Sequence, residues 1–160
     1  MGVALEPHPQ LGVLSGLIGV WEGEGRGSWD ARPGFHYRER LTFTHAGKPM
    51  LGYAQQTWAL DDGRPLHGEQ GYWRATGDGG VELVLAHGIG AVEIELGRWD
   101  GGRLELRSTA MQVTPSAKRV TALGRTFILE GGRLRYTLAM SVDGSAPVPH
   151  LSAELRRAPS

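Results

Sequence analysis

Apolar residues recur at every second position along much of the chain, and this alternation is the main structural signal in the sequence. The clearest runs are Phe35, Tyr37, Leu41 and Phe43; Val81, Leu83 and Leu85; Val92, Ile94 and Leu96; Leu104 and Leu106; and Leu134, Tyr136, Leu138 and Met140. Successive side chains of a β-strand point to opposite faces, so a period of two predicts strands that are buried on one face.

Turns that carry glycine separate these runs. They are Asp62-Gly63, Asp78-Gly79-Gly80, Asp100-Gly101-Gly102, Glu130-Gly131-Gly132 and Asp143-Gly144. Such residues tolerate the positive φ of hairpin loops, so consecutive strands should be antiparallel. We predict strands at roughly 17–28, 35–45, 49–60, 67–74, 81–87, 91–99, 103–110, 118–123, 125–130, 133–142 and 150–157, one of them a bulged continuation of its neighbour.

The order of elements predicts an all-β fold. About ten sequential antiparallel strands either pack as two sheets or close on themselves, and closure removes exposed edges. We therefore expect one domain over residues 1–160, an up-and-down barrel of the lipocalin or fatty-acid-binding-protein kind, wide enough to hold a ligand. Helical spacing occurs only at Leu11, Leu14 and Ile18, which indicates a short N-terminal helical plug after a flexible tail at 1–10.

Composition narrows the function. The chain has 160 residues, 17 of them basic and 17 acidic, so it lacks the charge excess that recruits nucleic acid or an anionic membrane. The absence of cysteine excludes disulfides, cysteine-ligated zinc, iron–sulfur clusters and thiol catalysis. The first ten residues resemble no signal peptide and no apolar stretch is long enough to span a bilayer, so we expect a cytoplasmic protein without membrane partners.

The six histidines show no metal-binding spacing along the chain. They are His8, His36, His45, His67, His87 and His150, and no HExxH motif or cysteine pair accompanies them. His150 follows Pro147-Val148-Pro149, and its parity is opposite to that of Leu151, Ala153 and Leu155. It should point outward unless a bend at the prolines turns it inside.

Other candidate chemistry is weak. No GxSxG motif supports a serine hydrolase. The acidic residues that alternate with apolar ones, typical of a solvated outer face, are Glu22, Glu24, Glu82, Glu93, Glu95, Glu105 and Glu154. The glycine-rich segment Gly19–Gly25 matches no phosphate-binding motif; it indicates either a bent first strand or a place where a flat ligand approaches the backbone.

A set of short motifs in one order resembles the nitrobindin family of haem-binding β-barrels. The motifs run from Gly19-x-Trp21-x-Gly23-x-Gly25 through Gly47-Lys48-Pro49, Gln55-x-Thr57-Trp58, Pro65-Leu66-His67, Gly71-Tyr72-Trp73-Arg74 and Ala117-Lys118 to His150-Leu151-x-Ala153-x-Leu155. Each motif alone is short, but together they span about Leu11 to Arg157 in the order found in the family.

The resemblance implies a ten-stranded barrel that holds one ferric haem b per chain, with His150 as the axial iron ligand and catalytic residue. It also implies that the glycine motif (Gly19, Trp21, Gly23 and Gly25) helps to form the haem pocket. Less direct matches are Phe35, Leu66, His67, His87 and Met140 as pocket residues, with the two histidines near the rim, and Lys118 beside a haem propionate. Where the family often has Tyr-Pro-Thr-Ile, this chain has Trp29-Asp30-Ala31-Arg32, so Ala31 replaces a pocket threonine.

The function that the resemblance implies is binding of nitric oxide and related nitrogen species and isomerisation of peroxynitrite to nitrate. The alternative is a non-catalytic carrier or sensor of haem, nitric oxide or another small apolar ligand, since a fold does not fix a function. The sequence leaves the oligomeric state open, with a homodimer as one possibility.

Overall fold

Ten antiparallel strands close into one barrel in the computed structural model, which describes residues 2–28 and 34–159. A 3₁₀ helix at Pro9–Leu17 comes first. The strands are β1 Gly19–Gly27, β2 Phe35–His45, β3 Met50–Ala59, β4 Pro65–Ala75, β5 Gly80–His87, β6 Ala91–Asp100, β7 Arg103–Val113, β8 Val120–Glu130, β9 Arg133–Val142 and β10 Val148–Arg157. Each pairs with its neighbours in sequence, and β10 pairs with β1 to close the ring.

The predicted barrel and its strand order are confirmed. The two short strands expected at roughly 118–123 and 125–130 are one strand, β8, with a register irregularity between Val120 and Ala122. The segment that contains Ala31 lies outside the described residues.

The predicted helical plug closes one end of the barrel. Its buried residues are Leu11, Leu14 and Leu17; the backbone is kinked at Gly12, and beyond the kink the inward face takes in Leu17 rather than Ile18. The helix already includes Pro9 and Gln10, and the Gln10 amide donates to the Ala75 carbonyl at 2.9 Å. The boundary between tail and plug therefore lies earlier than expected. Within the described ranges no helix is long and apolar enough to cross a membrane.

An aromatic cluster fills the half of the barrel next to the plug. The ring of Trp73 lies 5.1 Å from Phe43, 5.4 Å from Tyr53 and 4.9 Å from Phe127, centroid to centroid. These separations are typical of well-packed aromatic pairs. The packed core thus occupies the plugged half and leaves room for a site in the other half.

The inward face of β6 is opposite to the one that its hydrophobicity predicts. Glu93 and Glu95 are buried, whereas Val92, Ile94 and Leu96 are 41–53% exposed. The expectation that both glutamates lie on the solvated outer face was therefore wrong. Alternation separates the two faces of a strand without saying which is inside, and here a buried cation on β8, Arg125, provides inward-facing carboxylates with a partner.

Candidate functional site

A cavity of about 880 Å³ opens at the unplugged end of the barrel. This volume lies in the range of small-molecule and cofactor sites. The sequence-predicted site residues that line it are Phe35, Leu66, His67, His87, Lys118, Met140 and His150. One end of the barrel therefore collects residues that are more than a hundred positions apart in the chain.

His150 lines the cavity because β10 contains a bulge. Pro149 pairs with Ala139 and Leu151 pairs with Leu138, so one extra residue is accommodated at His150. This is the bend at the prolines on which an inward-facing His150 depended. The Nδ1 atom of His150 lies 2.9 Å from the Ser28 carbonyl oxygen, to which it donates. That bond fixes the ring orientation and puts the ring's lone pair on Nε2.

Apolar side chains form most of the wall around His150. The Phe35 ring meets the His150 ring edge to face, with centroids 6.3 Å apart. Leu138 and Met140 of β9 and Leu123 of β8 line the same space. Leu66 lies at the cavity too, but it is 37% exposed. The part of the cavity around His150 therefore suits a flat apolar ligand.

The glycine motif lies outside the cavity lining, although it was expected to help form the pocket. Trp21 is completely buried at the plugged end, where its Nε1 donates to the Leu17 carbonyl at 2.8 Å. A Cβ on Gly25 would overlap the Tyr37 ring that pairs with it from β2, and a Cβ on Gly27 would overlap the ring of Phe35. These two glycines make room for aromatic rings on β2 and so support the cavity wall from behind.

Gly19 and Gly23 occupy close-packed backbone positions. The Cβ of any larger residue at Gly23 would collide with the Glu154 carbonyl of β10. At Gly19 the backbone has φ +130°, a conformation that favours glycine. Both support the closure of the barrel between its first and last strands.

A group of buried charged residues adjoins the cavity through Glu69, which lines it. The Arg125 guanidinium donates from Nη1 to Glu69 Oε1 at 2.6 Å, from Nη2 to Glu69 Oε2 at 3.1 Å and from Nε to Glu95 Oε2 at 2.7 Å. Glu93 Oε1 lies 3.6 Å from Nη2. None of these side chains is more than 3% exposed. We call Glu69, Glu93, Glu95 and Arg125 the floor cluster.

Two histidines adjoin the floor cluster. His87 Nε2 lies 2.7 Å from Glu93 Oε2, and His87 Nδ1 lies 3.0 Å from Glu69 Oε2. His67 Nε2 lies 3.5 Å from Glu69 Oε2 and 3.3 Å from His87 Nδ1. His87 is buried, so the expected rim position is wrong for it, whereas the His67 side chain is 27% exposed.

A second network of hydrogen-bonded polar side chains crosses the barrel beside the floor cluster. Tyr136 donates to Glu39 Oε2 at 2.9 Å and shares a hydrogen bond of 2.9 Å with the Tyr37 hydroxyl, and Gln55 donates to the same Glu39 oxygen at 2.6 Å. Tyr53 extends the floor cluster by donating to Glu69 Oε1 at 2.7 Å. The floor is therefore held by side-chain hydrogen bonds from at least five strands.

The ionisation of the floor follows from burial and from Arg125. Burial pushes the pKa of Glu69 upward, but the Arg125 guanidinium and the hydrogen bond from His67 outweigh it and hold this pKa well below its usual range. Burial raises the pKa of Glu95 despite Arg125, and it raises the pKa of Glu39 to about 7. Burial also lowers the pKa of His87. Strongly shifted groups in a cavity are typical of functional sites.

Sequence reasoning did not find the floor because its residues come from different strands. Glu69 and His87 are directly opposite each other in the β4–β5 pair, and His67 lies two residues before Glu69 on the same face. The available signal was the pairing of the β4–β5 hairpin, which places His67-x-Glu69 beside His87.

The residues present fit a haem group. The cavity has a histidine whose Nδ1 is bonded to a carbonyl, apolar walls, and Lys118 near its mouth as a candidate partner for a propionate. Burial lowers the pKa of His150, which favours the neutral ring needed for coordination.

Comparisons with known proteins agree with this fold. Residues 10–157 match the family described as "THAP4-like, heme-binding beta-barrel domain". A protein named Peroxynitrite isomerase 2 from Mycobacterium avium is 47% identical over 154 residues, covering 94% of this chain and 96% of that protein. Peroxynitrite isomerase 1 of Mycobacterium tuberculosis H37Rv is 45% identical over 156 residues, covering 93% and 95%.

A solved structure gives the same result. The crystal structure of Rv2717c from M. tuberculosis superposes with a TM-score of 0.88 at 42% sequence identity, covering 96% of this chain and 100% of that chain. The family match over residues 10–157 covers about nine-tenths of the chain and includes every strand of the barrel. The chain therefore belongs to the family of THAP4-like, haem-binding β-barrel domains.

Proposed function

We propose that this protein binds one ferric haem b in its cavity through His150 and isomerises peroxynitrite to nitrate. The observation that carries the proposal is the bulge that turns His150 into an otherwise largely apolar cavity, with Nδ1 bonded to Ser28. A histidine that donates its other ring proton to a carbonyl is the usual form of an iron-binding histidine. The names of the mycobacterial relatives support the reaction.

The walls of the cavity have two tasks in this proposal. Phe35, Leu138 and Met140 would contact the macrocycle and keep bulk water from it, which limits the escape of reactive nitrogen species. Lys118 would pair with a propionate at the mouth. Bound haem supplies a Lewis-acidic iron to which nitric oxide and peroxynitrite bind.

His67 is the better placed of the two histidines to orient a bound anion. Both ring nitrogens of His87 already face carboxylates, those of Glu69 and Glu93. The His67 side chain is partly exposed and lines the cavity. We propose that neither histidine binds the haem iron, which would leave the iron accessible to a small ligand.

The test of haem binding is the variant His150→Ala. Titration with haemin, followed by the Soret band, should give one equivalent for the wild type and affinity reduced about tenfold or more for the variant. Far-UV circular dichroism should stay unchanged, since the strand pairing does not need the iron. His36→Ala, at another histidine that lines the cavity, is the matched control. Equal affinity in His150→Ala would show that another residue is the ligand.

Two further measurements separate catalysis from storage. Stopped-flow mixing of the ferric protein with peroxynitrite should accelerate its decay with nitrate as the product; haem binding without acceleration would favour the carrier or sensor function. Electron paramagnetic resonance should show a high-spin resting iron. A low-spin signal that His67→Leu converts to high-spin would contradict the proposed accessibility of the iron. We propose the cytoplasm as the compartment, which cell fractionation tests.

A further inference from the structure

We propose that His67, Glu69 and His87 form a second site in the cavity, one that binds a divalent first-row transition metal such as Zn²⁺. This site consists of two imidazoles and one carboxylate on strands β4 and β5, and His150 is not part of it. The proposal does not rest on haem binding, because the three side chains are held by the barrel itself.

The three candidate ligand atoms already have the spacing of a metal site. They are His67 Nε2, Glu69 Oε2 and His87 Nδ1, and their separations are 3.0, 3.3 and 3.5 Å. Zinc binds nitrogen and oxygen at about 2.0–2.1 Å, so neighbouring ligand atoms in a tetrahedral site are roughly 3.3 Å apart. The triangle therefore matches one face of a tetrahedron, and a small ion needs little rearrangement to enter it.

Outer partners hold two of the ligands in the orientation that a metal requires. His87 Nε2 lies 2.7 Å from Glu93 Oε2, and the tautomer with its proton on Nε2 directs the Nδ1 lone pair toward the triangle. A carboxylate on the far nitrogen of a histidine is the common outer support of metal-bound histidines. Glu69 Oε1 accepts from Tyr53 at 2.7 Å and from Arg125 at 2.6 Å, which fixes the carboxylate; Oε2, the candidate ligand atom, has the longer contact of 3.1 Å with Arg125.

The charge of the floor cluster also favours a cation. Three buried carboxyl groups surround one guanidinium, and Oε1 of Glu93 and Oε1 of Glu95 are buried without a hydrogen-bond partner among the described residues. Arg125 opposes a second cation, but it engages Glu69 and Glu95 more closely than Glu93. A divalent ion at the triangle would add a second cation to three carboxyl groups that now share one guanidinium.

The ligand set indicates the kind of metal and the way in. Imidazole with carboxylate suits zinc, iron(II) and related ions, whereas calcium and magnesium prefer all-oxygen sites. All three residues line the cavity, so the remaining coordination position would face it. The metal would then take the place of His67 as the group that meets an anion from the cavity.

The experiment uses the full chain after treatment with a chelator, with and without bound haem. Equilibrium dialysis against Zn²⁺ measures stoichiometry and affinity, and the visible absorption of Co²⁺ reports the coordination geometry. His67→Ala is the main variant, because His67 is the least buried ligand and its removal leaves the floor cluster paired. His36→Ala is the matched histidine control, and circular dichroism checks folding.

We expect one Zn²⁺ per chain. The affinity for Zn²⁺ should fall about tenfold or more in His67→Ala and stay unchanged in His36→Ala. Co²⁺ should give the intense bands of a tetrahedral site. Sub-stoichiometric binding, or equal affinity in His67→Ala, would overturn the proposal. Loss of Zn²⁺ binding in His150→Ala, with binding retained in His67→Ala, would place the ion at His150 and would also overturn the proposal. The haemin titration decides the proposed function separately.

Discussion

Replacement of Arg125 by methionine should destabilise the barrel strongly. The guanidinium makes three hydrogen bonds of 2.6–3.1 Å to Glu69 and Glu95 in a region that is almost completely buried. Methionine fills similar space but leaves these carboxylates without their cation. Breaking a buried ion pair on one side costs about 3–5 kcal/mol, so we expect a loss of that size in the free energy of unfolding at neutral pH.

The assay is urea unfolding followed by tryptophan fluorescence. The matched control is Arg40→Met, since Arg40 Nε contacts Glu22 at a similar 3.0 Å but both side chains are about half exposed. Exposed pairs are worth about 1 kcal/mol or less. The difference between Arg125→Met and the wild type should shrink as the pH falls, because the stranded carboxylates then take up protons. A loss below about 1 kcal/mol for Arg125→Met would refute the electrostatic account of the floor.

Three further predictions follow from single contacts. Burial raises the pKa of Glu39 from 4.5 to about 7, so the free energy of unfolding should fall as the pH rises through that window and Glu39 ionises. Glu39→Gln should abolish about 3 kcal/mol of this fall, measured by urea unfolding at several pH values. Gly25→Val should displace the Tyr37 ring and weaken haemin binding about tenfold or more in a Soret titration, and wild-type affinity would contradict the packing role. Leu14→Ala should cost about 2–5 kcal/mol in thermal or urea unfolding, against about 0.5 kcal/mol or less for the exposed Val13→Ala.

The fold could be predicted from the sequence because its signals are local. Alternation at β5 and β9 and the glycine turns between strands are visible within a few residues. The inward face of β6 could not be predicted in this way, since hydrophobicity favours Val92 inside. The burial of Glu93 is explained only once Arg125, two strands away in the ring, is known to face inward.

The candidate site was predictable in part. His150 was identified by resemblance, and its inward direction depended on a bulge that the two nearby prolines only suggested. The contact of Glu69 with His87 follows from the pairing of the β4–β5 hairpin, whereas its contact with Arg125 depends on barrel closure, which no local pattern encodes. The role of Gly25 was hidden for the same reason: its partner Tyr37 lies on the next strand.

The pairing of β1 with β10 sets an order of events during synthesis of the chain. Trp21 pairs with Arg157, so the ring closes only when the last strand has left the ribosome, and until then β1 and β9 present open edges. His150 lies on that last strand. If haem is held through His150 as proposed, it can be bound only after β10 has been made, and a chain that stops before β10 would have neither a closed barrel nor this histidine.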